Sequence, residues 1–309
     1  MMEYVLTAEG LSKHYGKFKA LDGLSMHVPK GAIYGFVGKN GAGKTTLIRL
    51  VCGLQSPTAG KYAIYGIENG KKEISASRRR MGAVVETPSI YLDMTAEQNL
   101  KEQYRILGLP SFETIPALLR LVGLENTGKK KARNFSLGMK QRLGIAVALC
   151  GDPDFLVLDE PVNGLDPQGI IEIRELILKL NREHQITVLI SSHILDELAR
   201  LATHYGFIDG GRMVKEISAA ELDAACRKCM RVEVTDTKIL AHVLDEMGVE
   251  YKIISEKTAD VFEKINISRL TLALDRAGCE LISATERDES LESYYVSLVG
   301  GRAAGDGNA

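Results

Sequence analysis

Along the first two thirds of the chain, short uninterrupted apolar runs alternate with segments of helical periodicity. The runs at residues 33–37, 155–158 and 186–190 lack the polar alternation of a half-exposed strand, which predicts strands buried on both faces, as in a parallel sheet. Between residues 170 and 180, isoleucine and leucine recur at i, i+3, i+7 and i+10 and form one stripe of a helix. This alternation of strands and helices predicts an α/β fold over residues 1–215.

The pattern changes after residue 215. The order strand, helix, strand, strand, helix, strand predicts a small ferredoxin-like α+β domain over residues 230–300, preceded by a linker at 216–229 and followed by a tail at 301–309. A last helix is expected at about 289–298. The expected strands cover residues 230–234, 249–254, 261–265 and 280–284, and the expected helices cover 238–247 and 267–276.

Composition limits the classes of function. The chain has 309 residues, and its formal net charge of −1 gives no broad attraction to nucleic acid or anionic lipid. No stretch reaches the roughly 18–20 apolar residues that span a bilayer, and the start Met1-Met2-Glu3-Tyr4 has no signal-peptide pattern. The five scattered cysteines are an odd count and indicate a reducing compartment without a disulfide framework.

A glycine-rich segment after the first buried run fits the phosphate-binding loop pattern. It follows the predicted strand at 33–37 and opens a helical stretch at 47–51, which is the context that the motif requires. Glycines let backbone amides turn toward phosphate oxygens, Lys44 would neutralise the β- and γ-phosphates, and Thr45 would offer its hydroxyl to Mg²⁺. A chance match in a glycine-rich turn is the alternative. The segment is Gly38-Lys39-Asn40-Gly41-Ala42-Gly43-Lys44-Thr45-Thr46.

Two acids end the buried run at 155–158. Asp159 and Glu160 lie where strands of open α/β sheets bind ligands, at the carboxyl end of the strand. Asp159 suits Mg²⁺, reached through water, because this ion prefers oxygen ligands and keeps several waters. Glu160 is placed to accept a proton from an attacking water. A strand that simply meets solvent at two acids is the alternative, and the neighbouring phosphate loop disfavours it.

With these motifs in order, residues 3–215 resemble the nucleotide-binding subunits of ATP-binding-cassette transporters. The segment Ser136-Leu137-Gly138-Met139 resembles the family signature, at the start of a helix with an apolar stripe. The resemblance implies a phosphate-loop NTPase cassette, which has a mixed sheet core and a helical insert, here at about 88–134. It also implies that Ser136 and Gly138 contact the γ-phosphate held by a second copy. Taken alone, this segment is an ordinary capped helix.

Three further residues gain a role from the resemblance. Asp166, in Asn163-Gly164-Leu165-Asp166-Pro167, belongs to a segment that resembles the loop crossing the dimer interface, beside the nucleotide. His193 follows the strand after the Asp159 strand and resembles the histidine that contacts the γ-phosphate. Tyr15 resembles the aromatic residue that stacks on adenine. In isolation these are a turn, a structural histidine and a partly buried tyrosine.

Two departures from the family pattern point to one branch. Glu86 stands where the family usually has Gln, and the usual Ser-Gly-Gly-Gln is replaced at 136–139. Both variants resemble the bacitracin and lantibiotic exporter or self-immunity branch, and residues 290–295 resemble the last helix of that branch's extension. Glu86 is expected to ligate Mg²⁺ together with Thr45 and Asp159, although its charge differs from that of Gln.

The expected function is ATP hydrolysis that drives an exporter, with ATP and Mg²⁺ as cofactors. The substrate would be a peptide antibiotic or similar amphipathic compound, which implies antibiotic resistance. Two copies would enclose ATP and act with a separate transmembrane permease at the cytoplasmic face of the membrane. The alternatives are a soluble cassette ATPase acting on ribosomes or DNA and a module that senses ATP without hydrolysis. Cys226 and Cys229 have metal-like spacing but no second ligand pair nearby, which disfavours zinc.

Overall fold

The structure, a computed structural model, describes residues 3–225, 229–263, 265–287, 294–296 and 298. Several predicted features fall outside these residues, wholly or in part. They are the last helix at 289–298, the tail at 301–309 and most of the segment between Cys226 and Cys229. The chain divides into two compact units, the first ending at Ala219 and the second beginning at Ala220.

Fourteen strands and ten α-helices are named for the described residues. The strands are β1 (Tyr4–Tyr15), β2 (Phe18–Pro29), β3 (Ile33–Val37), β4 (Ala59–Ile64), β5 (Ile67–Glu68), β6 (Met81–Val84), β7 (Phe155–Asp159), β8 (Thr187–Ser192), β9 (His204–Asp209), β10 (Arg212–Ser218), β11 (Cys229–Val234), β12 (Tyr251–Ile253), β13 (Thr258–Val261) and β14 (Leu281–Arg287). The helices are α1 (Lys44–Val51), α2 (Ile74–Arg79), α3 (Ala96–Leu107), α4 (Ile115–Leu121), α5 (Leu137–Leu149), α6 (Pro167–His184), α7 (Leu195–Ala199), α8 (Ala219–Ala225), α9 (Thr237–Met247) and α10 (Ile267–Arg276).

The main sheet of the amino-terminal unit has six strands in the order β10-β9-β3-β8-β7-β6. Five of them run parallel, and β10 closes the edge antiparallel to β9. Every residue of β3, β7 and β8 is buried, which explains the uninterrupted apolar runs in the sequence. Because parallel strands end at the same edge, the segments that follow β3, β7 and β8 lie side by side.

A second sheet of four antiparallel strands, in the order β2-β1-β4-β5, covers one side of this unit. Strands β1 and β2 form a hairpin with several register shifts, and only two residues separate them. Apolar side chains of β1 and β2 share one buried cluster with α1, β3 and β7. The hairpin is thereby held against the helix that follows the phosphate-binding segment.

The helices that matter for the site begin at clear caps. Ser136 caps α5 by accepting a hydrogen bond from the Met139 N–H at 3.2 Å. Asp166 caps α6 in the same way through the Gly169 N–H at 3.0 Å, and Pro167 occupies the first turn. Between β6 and α5, the segment predicted as a helical insert contains α3, α4 and two short 3₁₀ turns.

The carboxy-terminal unit contains a four-stranded antiparallel sheet in the order β12-β13-β11-β14. If the four strands β11 to β14 are numbered 1 to 4 along the chain, their order in the sheet is 2-3-1-4. From β11 to β14, strands and helices follow one another as β-α-β-β-α-β. Helices α9 and α10 share a buried apolar cluster with the sheet.

Two predicted boundaries of this region were wrong. The strand expected at 261–265 lies at Thr258–Val261, because these residues pair with β11 and β12. The expected linker at 216–229 also begins too early, because β10 continues to Ser218 through its ladder with β9 and α8 follows directly. Among the described residues, no helix is both long enough and apolar enough to cross a membrane.

Candidate functional site

The glycine-rich segment forms a tight loop between β3 and α1. Gly43 has φ 110°, and a Cβ there would lie 2.5 Å from the Ala20 carbonyl oxygen. A Cβ on Gly38 would lie 2.6 Å from the Ile208 carbonyl oxygen. Gly43 therefore requires glycine for both its backbone conformation and its close approach, and Gly38 requires it because a Cβ would collide with a backbone oxygen. The loop delivers the chain to the amino terminus of α1, where backbone N–H groups and the helix dipole favour an anion.

Lys44 is the first residue of α1, and its side chain is only 5% exposed. Its ammonium donates to the Gly38 carbonyl at 2.6 Å and to the Lys39 carbonyl at 3.2 Å. It also lies 3.3 Å from Glu160 Oε1. The loop thus folds back over its own lysine, and a buried positive charge faces the acid at the end of β7.

Asp159 and Glu160 are positioned by the neighbouring strand β8. The Ser191 hydroxyl donates to Asp159 Oδ1 at 2.5 Å, while the Glu160 N–H donates to Ser191 Oγ at 3.0 Å. Asp159 is buried, whereas Glu160 is partly exposed and has φ 49°. A positive φ at a non-glycine residue is uncommon and often marks a functional site. Ser191 therefore orients the buried carboxylate of Asp159 and, through the backbone N–H of Glu160, positions Glu160 beside the phosphate loop.

His193 completes a line of contacts with Lys44 and Glu160. Its Nδ1 lies 2.7 Å from Glu160 Oε2. Because a carboxylate only accepts, the ring donates its Nδ1 proton, and Nε2 remains for another partner. The two oxygens of Glu160 thus engage different groups, one Lys44 and the other His193. Two predicted residues, Lys44 at the start of α1 and His193 after β8, therefore meet at the carboxylate of Glu160.

A cavity of about 220 Å³ opens beside these groups. Its volume is below the roughly 300–1,000 Å³ of typical ligand pockets, so one chain encloses only part of a nucleotide. Tyr15 lies at its other end, and its hydroxyl donates to the Gln55 side-chain oxygen. The lining residues are Tyr15, Phe18, Ala20, Asn40, Gly41, Gly43, Lys44, Thr45, Thr46 and Glu160.

The structure does not bring every expected residue to this cavity. Ser136, Gly138 and Asp166 are not among its lining residues. The side chain of Asp166 is used to cap α6, while a Cβ on Gly138 would meet nothing closer than 3.8 Å. The amino terminus of α5 is therefore open to an approaching group.

Glu86 also lies outside the cavity lining. It follows β6 with φ 61°, and its carboxylate forms an ion pair with Arg49 of α1. Arg49 is four residues after Thr45 and therefore on the same face of α1. The carboxylate of Glu86 is thus held by the helix that also carries Thr45, and its side chain is 56% exposed.

Two larger cavities lie elsewhere in the amino-terminal unit. One of about 630 Å³ lies among α4 and the last turns of α5 and α6, and one of about 750 Å³ lies among α2, β6 and α3. Neither cavity is lined by residues of the phosphate loop, so the functional site is identified by its side chains and not by the volume of its cavity.

Burial raises the pKa of the Cys52 and Cys150 thiols to about 12. Both thiols stay protonated near neutral pH, which disfavours them as nucleophiles or metal ligands.

Sequence reasoning missed several residues that shape the site. Ser191 lies two residues before His193 and received no role from the sequence, although it contacts both Asp159 and Glu160. Gln55 holds Tyr15 through a hydrogen bond, and Arg49 holds Glu86 through an ion pair. Phe18 lines the cavity. The only sequence signal for Phe18 was its position three residues after Tyr15, and that signal is weak.

Comparison with known sequences identifies related proteins. Residues 21–163 match the family described as ABC transporter. The bacitracin transport ATP-binding protein BcrA of Bacillus licheniformis is 41% identical over 308 residues, which cover 98% of this chain and 100% of that protein. The BcrA protein of Enterococcus faecalis is 37% identical and covers 97% of this chain and 98% of its own length. The lantibiotic transport ATP-binding protein SrtF of Streptococcus pyogenes is 43% identical over 69% of this chain and 90% of its own length.

Solved structures agree with these similarities. An ATP-binding cassette of an ABC transporter in its ADP conformation has a TM-score of 0.65 and 27% identity, covering 73% of this chain and 95% of its own. A dimeric cassette in a post-hydrolysis state, bound to ADP and Pi, has a TM-score of 0.61 and 25% identity over 69% of this chain and 98% of its own. The predicted cassette fold and family resemblance are confirmed, and an action on ribosomes or DNA is not favoured.

Proposed function

Because this chain belongs to the ABC transporter ATP-binding proteins, which are ATPases, we propose that it hydrolyses ATP with Glu160 and His193 to drive an exporter. The observation that carries this proposal is the line of contacts from Lys44 through Glu160 to His193. A module that only senses ATP has no need for a general base at this point. The joined lysine, acid and histidine therefore support hydrolysis.

The residues divide the work as follows. Lys44 leaves the carboxylate of Glu160 when the β- and γ-phosphates take its ammonium, since a phosphate carries more negative charge than a carboxylate. Glu160 is then free to accept a proton from the attacking water. His193 donates a hydrogen bond from Nδ1–H to Glu160, and as an imidazolium it would also donate a hydrogen bond from Nε2–H to the γ-phosphate. Backbone amides of the loop and α1 hold the remaining phosphate oxygens.

The oxygen donors around the loop fit Mg²⁺. Asp159 and the Thr45 hydroxyl are hard oxygen ligands, and Ser191 fixes the orientation of Asp159. Among the described residues, no group of three or more His, Cys, Asp or Glu side chains could hold a metal alone. Such an ion would be completed by phosphate oxygens and water, and it would neutralise charge on the phosphates.

We expect Glu86→Gln to weaken the dependence of nucleotide affinity on Mg²⁺. A carboxylate near the γ-phosphate adds a like charge, which costs about 1–3 kcal/mol at an effective dielectric near 20, and bound Mg²⁺ offsets this repulsion. The measurement is ATP affinity across a Mg²⁺ titration for the full chain and the variant. Arg49→Met is the informative companion, because it releases Glu86 from its ion pair and leaves the acid in place.

Superimposable titration curves for wild type and Glu86→Gln would show that Glu86 has no role in Mg²⁺ binding. Arg49→Met should steepen the Mg²⁺ dependence, because the unpaired carboxylate then repels phosphate more strongly. A flatter curve for Arg49→Met would contradict the same role.

We propose further that two copies of the chain enclose each nucleotide. The cavity is small, and the amino terminus of α5 is exposed at Ser136 and Leu137, with open space beside Gly138. Ser136 keeps its hydroxyl proton available, because its oxygen accepts rather than donates in the cap. Ser136 and Gly138 of one copy would therefore contact the γ-phosphate on the other, and Asp166 would lie at the interface.

The groove of about 750 Å³ is suited to a membrane partner. Insert residues Ile106 and Leu107 are exposed on its wall, and Ser89 lies on it three residues after Glu86. Exposed apolar side chains together in a groove indicate a docking surface. We assign this groove to a cytoplasmic segment of a separate transmembrane permease, and we expect the chain to act at the cytoplasmic face of the membrane. The loop at Glu86 would connect that partner to the nucleotide.

The names of the relatives support a peptide antibiotic, or a similar amphipathic compound, as the exported substrate. In cells that carry this gene, we expect replacement by the Glu160→Gln allele to reduce resistance to bacitracin or a lantibiotic to the level of a deletion strain. The measurement is the minimum inhibitory concentration of each compound. The Glu175→Gln allele is the matched control, because this acid on α6 is exposed and away from the cavity. Equal resistance of the wild-type and deletion strains to both compounds would refute the proposed substrate class.

A further inference from the structure

We propose that Phe18 is a second residue that contacts the nucleotide base, and that it forms with Tyr15 an aromatic platform that selects purines by stacking. This inference rests on the proposed nucleotide site. It concerns a residue outside the phosphate loop, with a side chain that makes no ring contact recorded among the described residues. Together, Tyr15 and Phe18 form the Tyr15–Phe18 platform.

The hairpin places the two rings together. Tyr15 ends β1, Phe18 begins β2, and the two residues are directly paired across the antiparallel ladder. Residues opposite each other in such a ladder project from the same face of the sheet. Both side chains line the cavity that also contains Lys44 and Thr45. The tip of the hairpin therefore presents two aromatic side chains to a nucleotide whose phosphates bind the phosphate loop.

Tyr15 is already fixed before a nucleotide binds. Its hydroxyl donates to Gln55, and the Lys13 ammonium lies over its ring, 5.3 Å from the centroid. Lys13 is anchored in turn by a 2.8 Å hydrogen bond to the Ser56 carbonyl. One face of the Tyr15 ring is therefore covered by a cation, and the base must use the other face or extend across to Phe18.

Phe18 is 62% exposed, an unfavourable position for an aromatic side chain that has no cover. A single exposed apolar residue needs no explanation by itself. Here the exposed ring is paired with the stacking tyrosine and lines the same cavity, so a bound base would cover it. A purine has a larger face than a pyrimidine and reaches both rings, which predicts a preference for purine nucleotides.

The same cavity offers no obvious means of telling adenine from guanine. The polar side chains among its lining residues belong to the phosphate loop, to α1 or to the end of β7, and the Tyr15 hydroxyl is directed to Gln55. Stacking alone is tolerant of base identity, since every base has a π-face. The platform therefore selects purines as a class, and ATP and GTP should bind with similar affinity.

The test measures equilibrium binding of Mg-ADP, Mg-GDP and Mg-CDP to the full chain. Phe18→Ala should weaken binding of both purine nucleotides about tenfold, the range for one lost stacking contact, and should affect Mg-CDP less. Phe18→Tyr should restore binding, because it keeps the ring. Leu54→Ala is the matched control, since Leu54 is 64% exposed and does not line the cavity. In steady-state hydrolysis, Phe18→Ala should raise KM for ATP by a larger factor than it lowers kcat.

Three results of these measurements would contradict the Tyr15–Phe18 platform. Equal affinities for Phe18→Ala and Leu54→Ala would overturn the platform, and binding that still depends on Lys44 would then leave the proposed function standing. A strong preference of the wild-type chain for ADP over GDP would overturn selection by stacking alone. If no nucleotide binds in a manner that depends on Lys44, the proposed function fails and the platform fails with it.

Discussion

Glu160→Gln is expected to lower the rate of ATP hydrolysis by about 10²-fold or more, the range for losing a general base. The amide keeps the size of the side chain but cannot accept the proton of the attacking water. ATP binding should stay close to normal, because Lys44 and the backbone amides of the loop are unchanged. The measurements are steady-state phosphate release and equilibrium ATP affinity for the full chain.

The same variant should reveal the dimer. When bound ATP is not consumed, the closed pair of chains accumulates, so sedimentation velocity should show a shift from monomer to dimer with Mg-ATP and no shift with Mg-ADP. Glu175→Gln is the control of equal charge change, and it should hydrolyse ATP at the wild-type rate. Near-normal turnover by Glu160→Gln would exclude Glu160 as the base. A monomer at saturating Mg-ATP, both alone and with the membrane partner, would argue against the sandwich.

The parts of the fold that the sequence predicted well have a local cause. The strand at 33–37 occurs as expected, since five consecutive buried residues leave a continuous apolar run. Helix α10 occupies the predicted residues Ile267–Arg276, where apolar periodicity starts after an Asn266 cap and ends before Gly278. Each signal is contained within one element. Local pattern therefore suffices where burial of a single segment decides its structure.

The antiparallel sheet of β1, β2, β4 and β5 received no such prediction. Strands β1 and β2 contain several register shifts, which disturb the two-residue alternation that identifies a half-buried strand. Strand β13 begins at polar Thr258 and has Asp260 between Ala259 and Val261, and Val261 drew the prediction toward residue 265. Here pairing with distant strands, rather than local periodicity, determines which residues are extended.

The same distinction between local pattern and long-range contact applies to the residues of the functional site. Lys44, Asp159 and Glu160 could be found from sequence because short motifs require those residue types at fixed spacing. The contacts that orient them could not. Ser191 meets Asp159 across 32 positions of sequence, Gln55 meets Tyr15 across 40, and Glu86 meets Arg49 across 37. Such partners have no shared local pattern, so only the fold brings them together.

The position of Glu86 changes how its departure from the family pattern should be understood. The sequence indicated a carboxylate that ligates Mg²⁺ directly, whereas the side chain is paired with Arg49 and lies outside the cavity lining. Binding a metal would therefore require Glu86 to leave a guanidinium on α1, the helix that also carries Lys44 and Thr45. Exchange of this ion pair for a metal ion would link the loop to the helix that carries Lys44 and Thr45.

Lys44→Met is expected to weaken ATP binding by roughly a thousandfold. Two unit charges 4 Å apart interact with about 4 kcal/mol at an effective dielectric near 20, and each 1.4 kcal/mol corresponds to about tenfold in affinity. Methionine fills the buried volume of the lysine stem but lacks the ammonium. The measurement is the dissociation constant of Mg-ATP for the full chain, determined at fixed ionic strength because salt screens such interactions.

The loss must be separated from a folding defect, because Lys44 also satisfies the Gly38 carbonyl and faces Glu160 in the free protein. The Gly38 carbonyl and Glu160 Oε1 then lose the ammonium, although Glu160 keeps its contact with His193. Such a loss costs about 1–3 kcal/mol of stability for each buried group, so thermal denaturation should accompany the binding measurement. The double variant Lys44→Met with Glu160→Gln removes both charges and should recover part of that stability without recovering affinity. Lys72→Met, at an exposed lysine before α2, is the control for charge and should bind ATP like wild type. If Lys44→Met bound ATP as tightly as Lys72→Met while remaining folded, the phosphates would not lie at this loop, because no ligand with three negative phosphate groups could sit there without responding to the removed charge.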